Sequence, residues 1–231
     1  MGITLKVEYM EHNNESPLEV NTKVWQDLYA QGKNDLRYPN DVFVRCTYRY
    51  LGKDIRKALD FGCGTGANLL HLARRGVEMA GLEISDHALG VTQQRLQEAG
   101  LAADLKICTP GARLPWPDGC FDAVVAWQVL CYNDWSSWHF TVKELDRVLR
   151  PGGVFIAATT APGDISYASS QPLGDHLYCS KVSGQEGCIL LIPDEQALSQ
   201  CFPERRLEIG SMEYRFDDIV SRHWIVVYRK D

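Results

Sequence analysis

The sequence predicts an α/β fold in which helices cover both faces of a doubly wound, parallel β-sheet. Short apolar strands alternate with amphipathic helices between residues 57 and 160, which is the order that parallel sheets require. The run 121–127 is apolar almost throughout, as expected for a central strand buried on both faces. A glycine-rich turn at 62–66 joins the first strand directly to a helix. We expect a single domain spanning residues 1–231.

The composition fits one large domain and argues against several classes of partner. With 231 residues, 45% of them hydrophobic, the chain can bury a substantial core. Its formal net charge of −6, with acidic and basic residues interspersed, argues against nucleic acid or an anionic membrane surface. The sequence begins without an apolar signal region, and no run approaches the ~18 apolar residues of a membrane span. The eight cysteines form no C-x-x-C pair, so we expect no metal site, and free thiols in a cytoplasmic protein.

Two helices are predicted before the first strand. Apolar residues recur at helical spacing from 22 to a stop at 32, and again from 42 to a stop at 52. We expect this helical segment, about residues 20–52, to form a lid over the ligand site. Packing against the core is the alternative interpretation, and nothing is assigned to residues 1–20.

The stretch 59–67, which reads LDFGCGTGA, is the centre of the predicted site. An apolar strand runs into the glycine turn, and helical spacing continues from Asn68 to Arg75. Glycine lets backbone N–H groups approach a ligand closely, and the positive end of the new helix favours polar or anionic groups. The turn therefore predicts a nucleotide-like cofactor. Because Gly62–Ala67 also fits the G-x-G-x-x-G/A pattern of dinucleotide-binding folds, the turn alone leaves the cofactor undecided.

Two later features fit such a site. Glu83 ends the second predicted strand, where an acidic residue accepts hydrogen bonds from ribose hydroxyls in mononucleotide-binding sheets; a solvated carboxylate is the alternative. Residues 161–187, rich in Gly, Ser and Pro, break the alternation and predict a long loop, which we place over the substrate pocket. A short helix from Glu195 and two terminal strands, beginning near Arg206 and His223, complete the prediction.

Three motifs accompany the glycine turn. Asp60 lies two residues before the first glycine, LPWPDGCFD (114–122) precedes the fourth strand, and LRPGG (149–153) precedes the fifth. In this order the motifs resemble those of the class I S-adenosylmethionine-dependent methyltransferases, over roughly Lys57 to Thr160. The resemblance implies a Rossmann-like sheet of seven strands, mostly parallel, with the last strand antiparallel. It also implies S-adenosylmethionine as the cofactor and S-adenosylhomocysteine as its product.

The resemblance also implies residues that contact the cofactor. One of them is the aromatic residue Trp127, for which two interpretations are open. An aromatic face at the end of the fourth strand would attract the positive sulfonium, although a core tryptophan fits there as well. The implied contacts are Asp60, Gly62, Cys63 and Gly64 at the methionine end, Glu83 at the ribose, Ile84 at the adenine and Trp127 beside the sulfonium.

Two parts of the predicted site are less typical. The family places an acidic residue after the third strand, where this sequence has Pro110, so adenine recognition would fall to the Thr109 hydroxyl or to backbone groups at Gly111 and Ala112. In the lid, Tyr29 and Arg37 are predicted ligands of the cofactor's carboxylate end, because the planar guanidinium can bond a carboxylate through two N–H groups. A plain surface role is the alternative for both lid residues.

Methyl transfer from a sulfonium is an in-line displacement, so the protein must supply alignment and exclusion of water. A base is needed only if the nucleophile arrives protonated. The candidates are Tyr132 and His139, which follow the fourth strand, and His176 in the 161–187 segment, with a structural role as the alternative for each histidine.

The sequence therefore predicts a methyltransferase that acts on oxygen or nitrogen of a small molecule. Three alternatives stay open: an NAD(P)-dependent oxidoreductase using the same turn, a methyltransferase of protein or RNA, and a non-catalytic partner protein. The methyl acceptor and the oligomeric state are left undecided.

Overall fold

The structure is a computed structural model that describes residues 16–202 and 206–231. Ten strands lie within these residues, and their bounds are Lys57–Phe61 (β1), Glu78–Glu83 (β2), Ala103–Ile107 (β3), Phe121–Trp127 (β4), Leu149–Thr160 (β5), Gln171–Gly174 (β6), Leu177–Cys179 (β7), Ile189–Leu191 (β8), Glu208–Phe216 (β9) and Ile219–Arg229 (β10). Seven of them form the main sheet, in the order β3-β2-β1-β4-β5-β10-β9. Strands β1 to β5 are parallel, and β10 runs antiparallel to both β5 and β9. The predicted Rossmann-like fold class is confirmed.

Helices cover both faces of this sheet. Their bounds are Pro17–Ala30 (α1), Asp41–Tyr50 (α2), Ala67–Arg74 (α3), Asp86–Glu98 (α4), Trp135–Val148 (α5), Ile165–Ala168 (α6) and Glu195–Gln200 (α7). Neighbouring strand residues point to opposite faces, so Leu59 and Phe155 join one buried cluster with α5. Ala58 and Ile156 join the other cluster, with α2, α3 and α4. The near-continuous apolar runs of β4 and β5 follow from this burial on both sides.

Residues 161–187 contain regular structure, so the prediction of a long loop was wrong. They hold α6, β6 and β7, and β7 pairs with β6 and β8 in a separate three-stranded sheet. Asp175 and His176 have φ of 51° and 60° and make a two-residue turn between β6 and β7. Such hairpin turns require left-handed conformations that Asn-Gly indicates much more clearly than Asp-His does. The strands on either side of this turn are too short to show a periodic hydrophobic pattern in the sequence.

The N-terminal helix begins earlier than predicted. The Ser16 hydroxyl accepts the Glu19 N–H at 3.3 Å, and the Glu19 carboxylate accepts the Ser16 N–H at 2.7 Å. This reciprocal cap, followed by proline in the first turn, starts α1 at Pro17. Residues 1–15 lie outside the described part of the chain. In the part that is described, none of the helices combines the length and apolar character that crossing a membrane requires.

The carboxyl ends of the parallel strands meet at one edge of the sheet. Asp60 pairs with Val125 near the ends of β1 and β4, and Thr160 at the end of β5 pairs with His223 in β10. The turns that follow these strands therefore converge, and this edge is where open α/β sheets bind their ligands.

Candidate active site

A cavity of about 440 Å³ opens at this edge of the sheet. The glycine turn and the ends of β1, β2 and β4 form its floor, and residues of α1 and α6 also line it. Among the residues predicted to bind the cofactor, those that line the cavity are Tyr29, Gly62, Cys63, Gly64, Glu83, Ile84, Gly111, Ala112 and Trp127. The structure thus brings together positions that are far apart in the sequence.

The glycine turn leaves no room for side chains. Gly62 and Gly64 have φ of 70° and 53°, a region that other residues rarely adopt. A Cβ added at Gly62 would lie 2.5 Å from Val129 Cγ2, and one at Gly64 would lie 2.7 Å from the Tyr29 hydroxyl oxygen. The Gly62 N–H donates to the Leu82 carbonyl at 2.8 Å, which ties the turn to β2. The turn can therefore pack this closely against Val129 and Tyr29 only because both residues are glycine.

Glu83 is 5% exposed and lies at the end of β2, above the turn. Its Oε2 accepts the Gly64 N–H at 2.9 Å, and its Oε1 accepts the N–H groups of Ile84 at 2.7 Å and Ser85 at 3.1 Å. Burial raises the pKa of Glu83, and the three N–H donors act in the opposite direction. A carboxylate offers about four acceptor positions, so the oriented group can still accept a ligand hydroxyl.

Asp60 lies in β1 just before the turn, is 1% exposed and is not among the residues that line the cavity. Its Oδ2 has no hydrogen-bond partner among the described residues. Burial, and secondly the charge of Glu83, raise the pKa of Asp60 to about 8. A buried carboxylate oxygen without a partner is costly, and a cationic donor of a ligand would relieve that cost.

The wall predicted to face an adenine is formed by the segment that follows β3. Cys108, Thr109, Pro110, Gly111 and Ala112 all line the cavity. The Ala112 N–H donates to the Thr109 carbonyl at 3.1 Å and closes a turn, so it is already engaged. We therefore retain the Thr109 hydroxyl and the Gly111 backbone as the polar groups for an adenine, and Ala112 as an apolar contact.

Helix α1 covers the cavity and is anchored by the buried Asn21. The Asn21 Nδ2 donates to the carbonyls of Tyr132 at 3.0 Å and Ile189 at 2.8 Å, and its Oδ1 accepts the Ile189 N–H at 2.8 Å. The Trp25 ring packs edge to face on Tyr132, with centroids 4.9 Å apart. Burial raises the pKa of Tyr29 far above its usual range, so its hydroxyl stays protonated at the cavity wall.

Arg37 does not line the cavity, although its neighbours Leu36 and Tyr38 do. Arg95 of α4 donates to the Leu36 carbonyl at 3.0 Å and pairs with Asp35 at 2.5 Å, which fixes this link against α4. Arg37 is exposed, and so are Leu36 and Tyr38, at 63% and 80%, although these two contribute to the lining. The structure gives no support to the prediction that Arg37 binds the cofactor.

Trp127 lies in both of the environments that the sequence left open, the ligand cavity and the core. Its ring lines the cavity and is also packed against the core, where Phe43 meets it edge to face at 5.2 Å between centroids. Its Nε1 is buried and has no hydrogen-bond partner among the described residues.

The predicted bases are not gathered at the cavity. Tyr132 lines it, but its hydroxyl donates to Gln185 Oε1 at 3.2 Å and burial raises its pKa, so it is a donor rather than a base. His139 and His176 lie outside the cavity lining, with ring centroids 6.0 and 5.9 Å from that of Trp135. His139 is exposed on α5, and His176 occupies the hairpin turn described above. The structure therefore does not bring these two histidines to the cavity.

Sequence reasoning missed Gln128 and His223. His223 is 8% exposed and lines the cavity, and its Nε2 lies 2.9 Å from the Gln128 side-chain nitrogen. Gln128 follows β4 with φ of 57°, a left-handed conformation that is uncommon outside glycine. The two residues are 95 positions apart, so no local pattern in the sequence connects them.

The chemistry of this set of residues fits S-adenosylmethionine. The buried, unpartnered Asp60 oxygen suits its ammonium group, and Glu83, oriented by three N–H donors, suits ribose hydroxyls. At Gly64 the Tyr29 hydroxyl occupies the space that a side chain would need.

The comparisons with known proteins agree with this geometry. A family model described as a methyltransferase domain matches residues 59–157. The ubiquinone biosynthesis O-methyltransferase of Azoarcus sp. (strain BH72) is 32% identical over 104 residues, which cover 45% of this chain and 44% of that protein. The chain therefore spans less than half the length of this curated relative.

Solved structures share the fold over most of the chain. A methyltransferase of Methanosarcina mazei superposes with a TM-score of 0.65 at 20% identity, covering 80% of this chain and 96% of that one. The geranyl diphosphate C-methyltransferase of Streptomyces coelicolor A3(2), solved with Mg²⁺, geranyl diphosphate and S-adenosyl-L-homocysteine, gives 0.60 at 15% identity, covering 83% and 79%. The match over residues 59–157, the order of motifs and the seven-stranded sheet are all similar to those of the class I S-adenosylmethionine-dependent methyltransferases.

Proposed function

We propose that this protein transfers the methyl group of S-adenosylmethionine to an oxygen or nitrogen atom of a small molecule. The observation that carries the proposal is the cavity at the carboxyl edge of the sheet, where the glycine turn and a second, polar and aromatic wall share one space. The relatives named above support a small acceptor, although one is an O-methyltransferase and another a C-methyltransferase.

Within this proposal the floor of the cavity holds the cofactor. Asp60 pairs with its ammonium group, Glu83 accepts the ribose hydroxyls, and Ile84 packs on the adenine. Trp127 presents its ring to the sulfonium, which an aromatic face attracts. Gly62, Cys63 and Gly64 supply backbone at close approach, and Tyr29 donates its hydroxyl from above. When bound, the cofactor supplies an activated methyl group.

The other wall belongs to the acceptor in this proposal. Tyr132, Asn133, Ile165 and Ser166 line it, together with Gln185 from the segment before β8. We propose that the helical lid of about residues 20–52 and the insertion of about 161–187 enclose the acceptor within one domain spanning residues 1–231. Enclosure removes water and holds the acceptor in line with the methyl carbon, which is much of what this reaction requires. We further propose that the protein acts in the cytoplasm.

Calorimetric titration of the wild-type protein with S-adenosylhomocysteine tests this function. We expect one site per chain, because the described residues provide one glycine turn with Glu83 above it. Absence of binding would refute the proposal.

The oxidoreductase alternative is tested separately through Trp25 and Trp127, which both line the cavity. We expect S-adenosylhomocysteine to change their fluorescence and NADH to leave it unchanged. Quenching by NADH alone would favour an oxidoreductase instead.

A further inference from the structure

We propose that the methyl acceptor is an uncharged primary or secondary amine whose N–H group donates to the side-chain oxygen of Gln128. His223 fixes the Gln128 amide in place and is a positioning residue. This proposal rests on the proposed function, because it names the class of acceptor for the same site and the residue that holds it.

Gln128 lies directly after β4, in an uncommon backbone conformation. Its N–H donates to the Ala158 carbonyl at 2.8 Å, which continues the pairing of β4 with β5. Its φ of 57° is in the left-handed region, and residues held in such conformations cluster at ligand sites. Gln128 is half-buried and lines the cavity. It follows Trp127, which the proposed function places beside the sulfonium, so Gln128 is close to the expected place of the methyl group.

The Gln128 amide is oriented by His223. Its nitrogen, Nε2, lies 2.9 Å from Nε2 of His223. An amide nitrogen only donates hydrogen bonds, so the ring nitrogen accepts this one and the ring proton is on Nδ1. The amide oxygen is on the other side of the same planar group, turned away from the ring. It has no hydrogen-bond partner among the described residues and can therefore accept a hydrogen bond from a ligand.

His223 is itself held in a fixed position. Its backbone pairs with Thr160 of β5 and Met212 of β9, and the residue is 8% exposed. Burial lowers the pKa of His223, and the Asp164 carboxylate acts in the opposite direction. The imidazole is therefore neutral at neutral pH and keeps the lone pair that accepts the Gln128 N–H. In this proposal His223 orients the amide and takes up no proton.

The charges at the cavity wall favour an acceptor that is neutral before the transfer and positive after it. Among the described residues that line the cavity, Glu83, Glu144 and Asp164 are acidic and none is lysine or arginine. Asp164 accepts the backbone N–H groups of Ser166 and Arg222, each at 2.7 Å, and forms no ion pair with a described residue. Its negative charge would repel an anionic acceptor and stabilise positive charge that develops during transfer.

The chemistry of an amide oxygen selects an amine. This oxygen accepts a hydrogen bond but takes up no proton at neutral pH, so Gln128 suits a nucleophile that attacks before it loses a proton. A neutral amine does so, because its lone pair is free while its N–H donates, and its product is a stable ammonium ion. A hydroxyl group would form a high-energy oxonium ion or require a base. The N–H hydrogen bond also fixes the direction of the nitrogen lone pair, as an in-line displacement requires.

The transfer balances without a base. The nitrogen lone pair forms the bond to the methyl carbon, while the carbon–sulfur bond breaks and its electron pair stays on sulfur. The products are a methylammonium ion and S-adenosylhomocysteine, so the positive charge passes from sulfur to nitrogen. The ammonium ion still donates to Gln128 and releases a proton to water after it leaves the site.

Transfer from methyl-labelled S-adenosylmethionine to a matched panel tests the class of acceptor. The panel takes aniline and benzylamine, each with its N-methyl and N,N-dimethyl derivatives, together with phenol, benzyl alcohol and benzoate. At about pH 8.5 every amine of the panel has an uncharged fraction. We expect wild type to methylate primary and secondary amines, and to methylate the tertiary amines, the hydroxyl compounds and benzoate at least about tenfold more slowly.

Substitutions at Gln128 and His223 test the two residues. Gln128→Met removes the amide and keeps the length of the side chain, and Gln93→Met on the exposed surface of α4 is its matched control. Gln128→Met should lose about 10- to 100-fold in kcat/KM for secondary amines, together with the preference for secondary over tertiary amines, and Gln93→Met should lose neither. Gln128→Asn, whose amide is shorter but whose backbone tolerates the left-handed region, should show the same loss. His223→Phe, which cannot accept the Gln128 N–H, should lower the same preference.

Binding measurements separate these effects from damage to the cofactor site. S-adenosylhomocysteine should bind to every variant within about threefold of wild type, because its predicted ligands are unchanged. In calorimetry, N-methylbenzylamine should bind to the S-adenosylhomocysteine complex of Gln128→Met about 3- to 10-fold more weakly than to that of wild type.

Four results would overturn the proposal: transfer confined to the hydroxyl compounds or benzoate, equal wild-type rates with secondary and tertiary amines, a Gln128→Met kcat/KM equal to that of wild type, or a wild type that binds S-adenosylhomocysteine but methylates no amine of the panel. Transfer to a hydroxyl compound alone would leave the proposed function standing. Failure of wild type to bind S-adenosylhomocysteine would overturn the proposed function as well, so the two failures are distinguishable.

Discussion

Asp60→Asn should stabilise the protein without ligand and weaken its cofactor site. Asn keeps the shape of the side chain and an oxygen for the Leu69 N–H, but it removes the charge that burial and Glu83 disfavour. The folded-state pKa of Asp60 is about 8, against an ordinary value of 3.8. The stability that its protonated form contributes is therefore complete below about pH 4 and is lost as the pH rises to about 8. Each pH unit between these values costs about 1.4 kcal/mol.

Urea denaturation of the ligand-free proteins at pH 5 and pH 7 measures this effect. Over these two units the free energy of unfolding of wild type should fall by about 3 kcal/mol relative to Asp60→Asn. The variant controls for every other titrating group, because those groups are common to both proteins. Affinity for S-adenosylhomocysteine should fall about 10- to 100-fold in the variant, since a hydrogen bond between charged groups is lost. If the stability of both proteins changed in parallel between the two pH values, the reasoning about Asp60 would be refuted.

Three further substitutions probe the turn and the lid. Glu83→Gln should weaken S-adenosylhomocysteine binding by about 10- to 100-fold in calorimetry, because the ribose loses a charged acceptor; a change below threefold would contradict that role. Gly64→Val should abolish binding while circular dichroism stays native, since its Cβ would lie 2.7 Å from the Tyr29 hydroxyl oxygen, whereas Gly90→Ala, with nothing within 4 Å, should bind normally. Asn21→Leu should lower the free energy of unfolding by about 1–3 kcal/mol in urea, and an unchanged value would show that Asn21 does not anchor α1.

The sequence predicted those parts of the fold whose determinants are close together in the chain. Three predicted features each lie within one strand–turn–helix unit: the glycine turn, Glu83 at the end of the next strand, and the apolar run of β4. The backbone conformation or burial of each of these features follows from its local residue types. The parallel arrangement of the sheet could be inferred because strands alternate with helices along the chain.

The parts of the fold and of the candidate site that were not predicted depend on contacts between segments that are distant in the sequence. The hairpin turn at Asp175 and His176 is made by residues that are not typical of such turns, so the hairpin was not predicted. His176 was therefore expected in a loop over the cavity, which it does not line. Arg37 lies between two exposed residues that contribute to the cavity lining, and spacing alone did not show that Arg37 lies outside that lining. His223 reaches the cavity because β10 runs antiparallel beside β5, a pairing that its own neighbourhood in the sequence does not indicate.

A crystal structure of the complex with S-adenosylhomocysteine tests the central claim most directly. We expect ribose hydroxyls on the Glu83 carboxylate, the amino group on Asp60 and the sulfur beside Trp127. A ligand bound away from the glycine turn, or a ribose that does not reach Glu83, would contradict it.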